Sequence, residues 1–359
     1  MWNRNALTEI LKIKYPIIQG PFGGGFSTAR LASSVSNLGG LGSFGAHNLN
    51  PEEIIAKTNE IRALTQMPFA MNLWVSSEDR SVKNITESTY QALASQYEND
   101  FKEMNLKAPP YTSHFGETFS EQIEALIEAR PPAFSFVFGI PSDDILRRCR
   151  ERGIVTMGAA TTPDEAKAVE EAGVDIVVAS GFEAGGHRPS FLKSAEDSLM
   201  GSAVLISQVS ELVKIPIVAA GGISTARDIA GAHTLGAQGY QLGTAFLACE
   251  ESGASPLHRE KIFSPLAKST TLSRAYSGRL ARFIENDFIR KARSRGLETF
   301  PYPAQNYFLS EFKKVATNSG RTDLAPLYAG QGAPLLKYKT VKDLMESLIR
   351  EIPEQLADY

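Results

Sequence analysis

Cysteine is scarce in this chain: Cys149 and Cys249 are the only two in 359 residues. They stand far apart, and Cys149 lies in the polar run ILRRCRERG, which reads as helix. Neither a disulfide framework nor a metal-ligand pair is indicated. The five histidines (47, 114, 187, 233 and 258) show no ligand spacing either, so no metal is expected. Long hydrophobic runs are missing, and nothing approaches the ~20 apolar residues of a membrane helix. The N-terminal MWNRNALTEILKIKYPIIQG has no signal-type apolar core. The net charge is -3 and no basic block points to nucleic acid. These absences predict a cytoplasmic protein acting on small molecules, without nucleic-acid or membrane partners, as a monomer or homodimer.

What is present is core-forming: 43% of residues are hydrophobic and 21% charged. Short apolar segments ending in glycine alternate with helical patterns. Strands are predicted over 15–20, 41–45, 69–75, 133–139, 154–160, 174–179, 216–222 and 240–246. A helix begins at Ser27, another spans 51–64, and Thr162-Pro163-Asp164-Glu165 is a helix start with an N-cap and an early proline. Eight nearly continuous apolar strands separated by helices argue a parallel sheet covered on both faces, and eight closes a (β/α) barrel. The segment Ser27-Thr28-Ala29-Arg30 recurs as Ser224-Thr225-Ala226-Arg227, with matching glycines downstream, which supports the barrel. An open doubly wound sheet is the alternative, but Gly20-Pro21-Phe22-Gly23-Gly24-Gly25 does not fit its G-x-G-x-x-G turn.

The fold class expected is therefore α/β, a TIM (β/α)8 barrel over 1–265 with an inserted helical segment at about 76–130. Residues 266–359, rich in aromatic and basic residues, are predicted to form a cap over the barrel mouth and a closing amphipathic helix over 341–352.

The stretch Ala179–Leu192, ASGFEAGGHRPSFL, leaves the sixth strand, breaks into Gly181, Gly185 and Gly186, and delivers His187 and Arg188. Glycines let backbone approach a ligand closely, and a histidine there can exchange protons near neutral pH. In such barrels the active site lies at the C-terminal strand ends, with phosphate on the loops after strands seven and eight. Gly221-Gly222 and Gly243-Thr244 occupy those turns, beside the helix start at Ser224. An anion site of backbone N–H groups is expected there, and without a P-loop lysine it suits FMN better than a nucleoside triphosphate. Asn72, mid-strand among apolar residues, is an inward polar group able to meet an isoalloxazine edge.

These residues carry a resemblance. Gln19-Gly20-Pro21, Asn72, the box from Gly181 through Glu183-Ala184-Gly185-Gly186-His187-Arg188, Ala219-Ala220-Gly221-Gly222-Ile223 and Gln241-x-Gly243-Thr244-Ala245-Phe246 resemble the FMN-dependent nitronate monooxygenases, formerly 2-nitropropane dioxygenases. Ser277-Gly278-Arg279-x-Ala281-Arg282, Pro303-x-Gln305-Asn306 and Ala329-Gly330-Gln331-Gly332 are similar to the first class of that family. The resemblance implies noncovalent FMN, held by Asn72, Gly185, Gly222 and the run Gln241, Leu242, Gly243 and Thr244. Around these it groups Gln19, Gly20, Pro21, Ser180, Gly186, Gly221 and Gln331. It implies His187 as the catalytic histidine and O2 oxidation of alkyl nitronates of the propionate 3-nitronate type to a carbonyl compound with nitrite or nitrate. Two positions depart from the pattern: Val137 stands where many members have a second histidine, and Ser180 where glutamine is common. Val137, Arg188, Tyr302, Tyr307 and His114 are the candidate substrate-pocket residues.

The chemistry is compatible with the residues. A nitronate is already a carbanion equivalent and needs no base, whereas a neutral nitroalkane must lose an α-proton, which neutral His187 at hydrogen-bond reach can take. As imidazolium, His187 instead stabilises the nitronate charge. The rival readings are an FMN-dependent NAD(P)H reductase of the enoyl-thioester or quinone type, a non-redox barrel lyase or isomerase with a phosphorylated ligand, and a flavin-binding protein without turnover.

Overall fold

The computed structural model describes residues 2–76 and 79–357. Eight parallel strands succeed one another around a barrel: Ile17–Gln19, Gly42–Gly45, Phe69–Trp74, Ala133–Val137, Val155–Ala160, Ile176–Ser180, Ile217–Ala220 and Gly239–Leu242. The last pairs with the first, Ile17 opposite Tyr240 and Gln19 opposite Leu242. A parallel bridge between Ile18 and Leu41 joins the first strand to the second. There the N–H of Leu41 donates to the Ile17 carbonyl and that of Gln19 to the Leu41 carbonyl, each at 2.9 Å. The sheet has no free edge, so the barrel expectation holds and the open doubly wound alternative is excluded.

Alternation along each strand sorts the apolar residues into two layers. Ile17, Met71, Leu73, Phe134, Phe136, Val177 and Tyr240 belong to the shell packed under the helices. Ile18, Ala70, Met157, Ala159, Val178 and Val218 fill the interior, closed below by Leu7 and Leu11 of the helix Ala6–Leu11. Toward the C-terminal strand ends the interior residues are small or polar (Asn72, Ala159, Ser180, Ala220), which leaves a cavity.

The repeated Ser-Thr-Ala-Arg segments form equivalent helix starts. Thr28 caps Ala29–Asn37 by accepting the Leu31 N–H, and Thr225 caps Ala226–Thr234 by accepting that of Asp228. Two boundaries differ from expectation. The fourth strand stops at Val137 because Phe138, with φ of 63°, and Gly139, with φ of 136°, leave the β region. The closing helix runs over Val341–Ala357, through Pro353. Proline removes one N–H near a helix end that is already losing partners, so the break expected at residue 352 does not form. Grouped with the cap in the sequence reading, this helix instead packs in the barrel's helix layer: Val341, Leu344, Met345, Leu348 and Ile352 join the barrel shell.

Between strands three and four, the helix Phe119–Ala129 packs on Pro51–Leu64 as the ordinary crossover. The residues before it, with helices Glu87–Ser95 and Glu98–Glu103, leave the barrel. They share one core with the C-terminal segment: Tyr90, Tyr97 and Phe101 pack among Phe283, Phe288, Phe300, Phe308 and Phe312. That segment contributes strands Thr270–Ser273 and Ala281–Ile284 and helices Asp287–Arg295, Ala304–Phe308 and Ser310–Asn318. Ala281–Ile284 also pairs with Gly186–His187, so the three-stranded antiparallel sheet fastens this layer to the loop after the sixth strand.

Phe308 is fully buried where the two segments meet, with Tyr90, Tyr97, Phe101 and Phe300 each within 6 Å of its ring centre. Phe308→Ala is expected to destabilise the fold by about 3–5 kcal/mol, the usual cost of such a cavity. Urea denaturation followed by near-ultraviolet circular dichroism checks this.

Candidate active site

The cavity opens at the C-terminal ends of the strands and is roofed by the cap. It offers about 250 Å³ to the centres of water-sized molecules, where a single water needs roughly 10–15 Å³. Its floor is built from the turns after strands seven and eight. Gly221 and Gly222 have φ of 102° and 75°, and Gly243 begins the turn into the helix Thr244–Leu247. Among the described residues, no group accepts a hydrogen bond from the backbone N–H of Gly221, Gly222 or Gly243. Unpaired donors converging on a cavity are an anion site. One part of the expectation is corrected: the N–H groups of Ser224 and Thr225 already donate to the Asp228 carboxylate, at 2.9 and 2.8 Å. The helix start there is closed by its own capping box and offers the anion little.

Asn72 reaches inward from the third strand, its amide N–H donating to the Ser135 carbonyl at 3.1 Å and hydroxyl at 3.0 Å. No described residue donates to its side-chain oxygen, and Asn72 lines the cavity.

The glycine box serves packing as much as ligand approach. A Cβ on Gly185 would stand 2.6 Å from the Gly330 nitrogen, and one on Gly332 would stand 2.4 Å from the Gly222 carbonyl oxygen. The loop at 329–332 therefore lies backbone against backbone on the box and on the anion floor. Arg188 is 1% exposed and turns away from the cavity. Its guanidinium donates to the carbonyls of Gly181 and Ser180, at 2.5 and 2.9 Å. Burial pushes its pKa down to about 10, still protonated at neutral pH.

His187 sits in the cavity wall, its Nε2 at 2.8 Å from the Ser277 hydroxyl. Ser277 Oγ is also 3.2 Å from the Arg279 carbonyl. When the serine donates to that carbonyl, His187 donates through Nε2 and presents an unprotonated Nδ1. Burial first, then His47, Arg279 and Lys313, holds the His187 pKa well below its ordinary value. The surrounding chamber is aromatic. Trp74 meets His187 edge-on at 5.0 Å and His47 in a stack at 3.9 Å. Arg279 lies over Phe138 and Tyr302 at 4.1 and 4.4 Å and pairs with Asp79 at 2.9 Å. Lys313 donates to the Asn306 side chain and, at 3.4 Å, to the Tyr276 carbonyl. Burial pushes its amine down to about 8.

Of the sequence-derived candidates, Gly20, Pro21, Asn72, Val137, Ser180, Gly185, Gly186, His187, Gly221, Gly222, Gln241, Gly243, Thr244 and Tyr302 line this one cavity. Others do not. Gln19 is wholly buried behind it, accepting the Ser43 N–H at 2.8 Å and donating to the Gly20 carbonyl. Leu242 belongs to the outer shell, because alternation turns it away from Gln241. Gln331 is exposed, and only its backbone N–H engages the box, at the Glu183 carbonyl. His114 is exposed on the insertion, and the Tyr307 hydroxyl donates to the Pro110 carbonyl at 3.2 Å. His47, Trp74, Phe138, Asn306 and Tyr328 also line the cavity and Ser277 bonds His187; of these, Ser277 and Asn306 stand in the class-one motifs without an assigned role, and the other four carry no site signal of their own type in the sequence. His47 was findable, since it lies two residues beyond the second strand, at the barrel end that carries sites.

An eight-stranded parallel barrel whose C-terminal cavity is lined by glycine N–H groups and a half-buried histidine, under an aromatic cap, has the layout of a barrel enzyme. Comparison with known proteins narrows this. The family model for nitronate monooxygenase matches residues 4–351. The "probable nitronate monooxygenase" of Staphylococcus aureus strain MRSA252 is 37% identical over the full length of both chains. That of Staphylococcus haemolyticus is 38% identical over 98% of each. Among solved structures, nitroalkane oxidase from Streptomyces ansochromogenes superposes with a TM-score of 0.89 at 34% identity, over 99% of both chains. FabK from Thermotoga maritima superposes with 0.77 at 27%, over 99% of this chain and 98% of its own. The chain belongs to the nitronate monooxygenase family and is an oxidoreductase; enzymes of this family are generally flavin enzymes.

Two glycine substitutions separate packing from ligand contact. Gly185→Ala drives a methyl into backbone and is expected to destabilise the protein by about 1–3 kcal/mol. Gly243 has φ of -95°, and a Cβ there meets nothing closer than Phe22 at 4.0 Å. Gly243→Leu should therefore keep the thermal midpoint of the apoprotein while filling the anion site. Differential scanning fluorimetry on both variants, with flavin content read from absorbance, distinguishes the two roles.

Proposed function

We propose that this enzyme oxidises alkyl nitronates, of the propionate 3-nitronate type, with noncovalent FMN and O2, giving a carbonyl compound with nitrite or nitrate. The residues present fit FMN: the unpaired N–H groups of Gly221, Gly222 and Gly243 suit its phosphate, and the free side-chain oxygen of Asn72 suits an N–H on the edge of its ring. When bound, FMN supplies an electron acceptor able to pass electrons on to O2.

The observation that carries the reading is His187, held by Ser277, kept neutral and facing the cavity in a chamber with cationic character. Arg279 is offset by Asp79, but Lys313 has no carboxylate within salt-bridge distance among the described residues. Such surroundings favour an anion such as a nitronate. They also leave the imidazole free to accept an α-proton from a neutral nitroalkane. Arg188, buried behind the loop, orients it and does not meet substrate. The likeness to FabK keeps a second reading, a flavin reductase supplied by NAD(P)H. Oxygen consumption with ethyl nitronate, against flavin reduction by NADH in the absence of oxygen, decides between them. Rapid reduction by NADH and none by nitronate overturns the proposal.

His187→Asn keeps a hydrogen-bonding side chain but no base. On nitroethane it should lose about two to four powers of ten in kcat/KM, while ethyl nitronate keeps most of its rate. Equal losses on both substrates point instead to charge stabilisation. A base works deprotonated, so its activity is lost as pH falls through its pKa. Because that pKa lies below 6.5, the acidic limb of kcat/KM for nitroethane should fall below pH 6.5, and the profile should be flat from there until Lys313 loses its charge near pH 8. Stopped-assay rates across pH 5–8.5 check this.

A further inference from the structure

We propose that His47 is a second substrate-binding histidine of this site, a neutral donor whose Nε2–H meets the anionic oxygen of the bound substrate. The proposal rests on the nitronate reading and assigns His47 within it.

His47 follows the second strand and stacks on Trp74 with ring centres 3.9 Å apart and planes 12° from parallel. Gly23 lies against Cε1, where a Cβ would stand 1.9 Å from Cε1 and nearly equally far from the two nitrogens, 2.7 Å from Nδ1 and 2.8 Å from Nε2, so burial and not Gly23 tells the nitrogens apart. Nδ1 is buried and has no hydrogen-bond partner. Among the described residues Nε2 has no partner either, but it is not sealed in: the residue lines the cavity, and its Nε2 is not among the buried unpaired atoms. A neutral imidazole carries one proton on one of these two nitrogens. On Nδ1 it would be a buried N–H with no acceptor, which folded proteins avoid more strictly than an idle lone pair. The proton therefore belongs on Nε2, directed into the cavity.

Nearby charges agree with this state. Burial and then the Arg279 guanidinium push the His47 pKa down to about 3, so the ring stays neutral throughout the working range. Trp74 stands between the two imidazoles, stacked on His47 and edge-on to His187. One histidine thus offers a donor and the other a basic nitrogen on two sides of one aromatic wall. A nitronate needs only the donor, for its N–O oxygen, whereas a neutral nitroalkane also needs the acceptor, for its α-proton.

The test uses the FMN-loaded enzyme and two variants. His47→Phe keeps an aromatic ring on Trp74 without an N–H, and His47→Gln keeps an N–H donor at similar reach. Nitrate, which shares the O–N–O edge of a nitronate, is titrated by calorimetry, and kcat/KM for ethyl nitronate is measured at pH 6.5 and 8.5. In His47→Phe the nitrate Kd should rise at least ~10-fold and kcat/KM should fall about 10²-fold, as for loss of a donor to a developing anion. The loss should be equal at both pH values, and His47→Gln should recover most of it. The proposal is overturned if His47→Phe stays within about threefold on nitrate binding, if His47→Gln is no better, or if the loss changes with pH. It is also overturned if His47→Phe cannot hold FMN, since His47 is then part of the cofactor site, or if the unsubstituted enzyme binds no nitrate. Nitrate binding that depends on His47, in an enzyme that consumes no O2 with nitronate, upholds this assignment and defeats only the proposed reaction.

Discussion

Two buried arginines hold the carbonyl edge of the loop that follows the sixth strand, and the rest of the site depends on that grip. Arg188 takes the carbonyls of Ser180 and Gly181, and Arg282 takes that of Phe182 through two N–H groups at 3.0 and 2.8 Å. Among the described residues neither has a carboxylate within salt-bridge distance, and both are at least 97% buried. A buried guanidinium without a counter-ion costs free energy, the more so because the Arg188 Nε has no hydrogen-bond partner, and each charge-assisted bond offsets about 1.5–3 kcal/mol of that cost. The loop conformation is thereby over-determined. With its carbonyls taken, the glycine box can lie against the 329–332 loop, and the strand Gly186–His187 can pair with Ala281–Arg282. That pairing carries His187 to within 2.8 Å of Ser277.

The cap is thus part of the site as well as its cover. Ser277, Tyr302, Asn306 and Tyr328 reach the site from the C-terminal segment, whose core is shared with the insertion after the third strand. Further ties cross between the two segments, including Arg295 to Asp100 at 2.8 Å and the Tyr97 hydroxyl to the Glu298 carbonyl at 2.7 Å. A change in either segment is transmitted to the wall facing His187 through packed aromatic rings, which have few alternative arrangements at this density.

Electrostatically the cavity has two ends. At the floor, backbone donors with no protein acceptor attract an anion. On the capped side, buried imidazoles are held neutral by desolvation and by nearby cations, while Arg279 rests on aromatic faces. Membership of the nitronate monooxygenase family gives this polarity a chemical sense, because a nitronate is an anion whose α-carbon has already lost its proton.

Much of this was legible in the sequence. Apolar runs ended by glycine set the strands, the Ser-Thr-Ala-Arg echo marked two capped helix starts, and the placement rule for barrel sites brought Gly221, Gly222, Gly243 and His187 to one end. Those features are local, written in periodicity, caps and turn residues that neighbours in the chain determine. Which way a side chain turns was decided elsewhere. Arg188 adjoins His187 in sequence yet faces the opposite way, because free carbonyls lay behind the loop. Gln19 and Leu242 sit in matching runs yet miss the cavity, through strand alternation and barrel closure. His114 and Tyr307 went to the outside of the cap. The place of His47 at the site end of the barrel was readable, but its stack on Trp74 and the bond from Ser277 to His187 were decided by tertiary packing, since nothing in the spacing of residues 47, 74, 187 and 277 encodes contacts that exist only once the barrel has closed and the cap has docked.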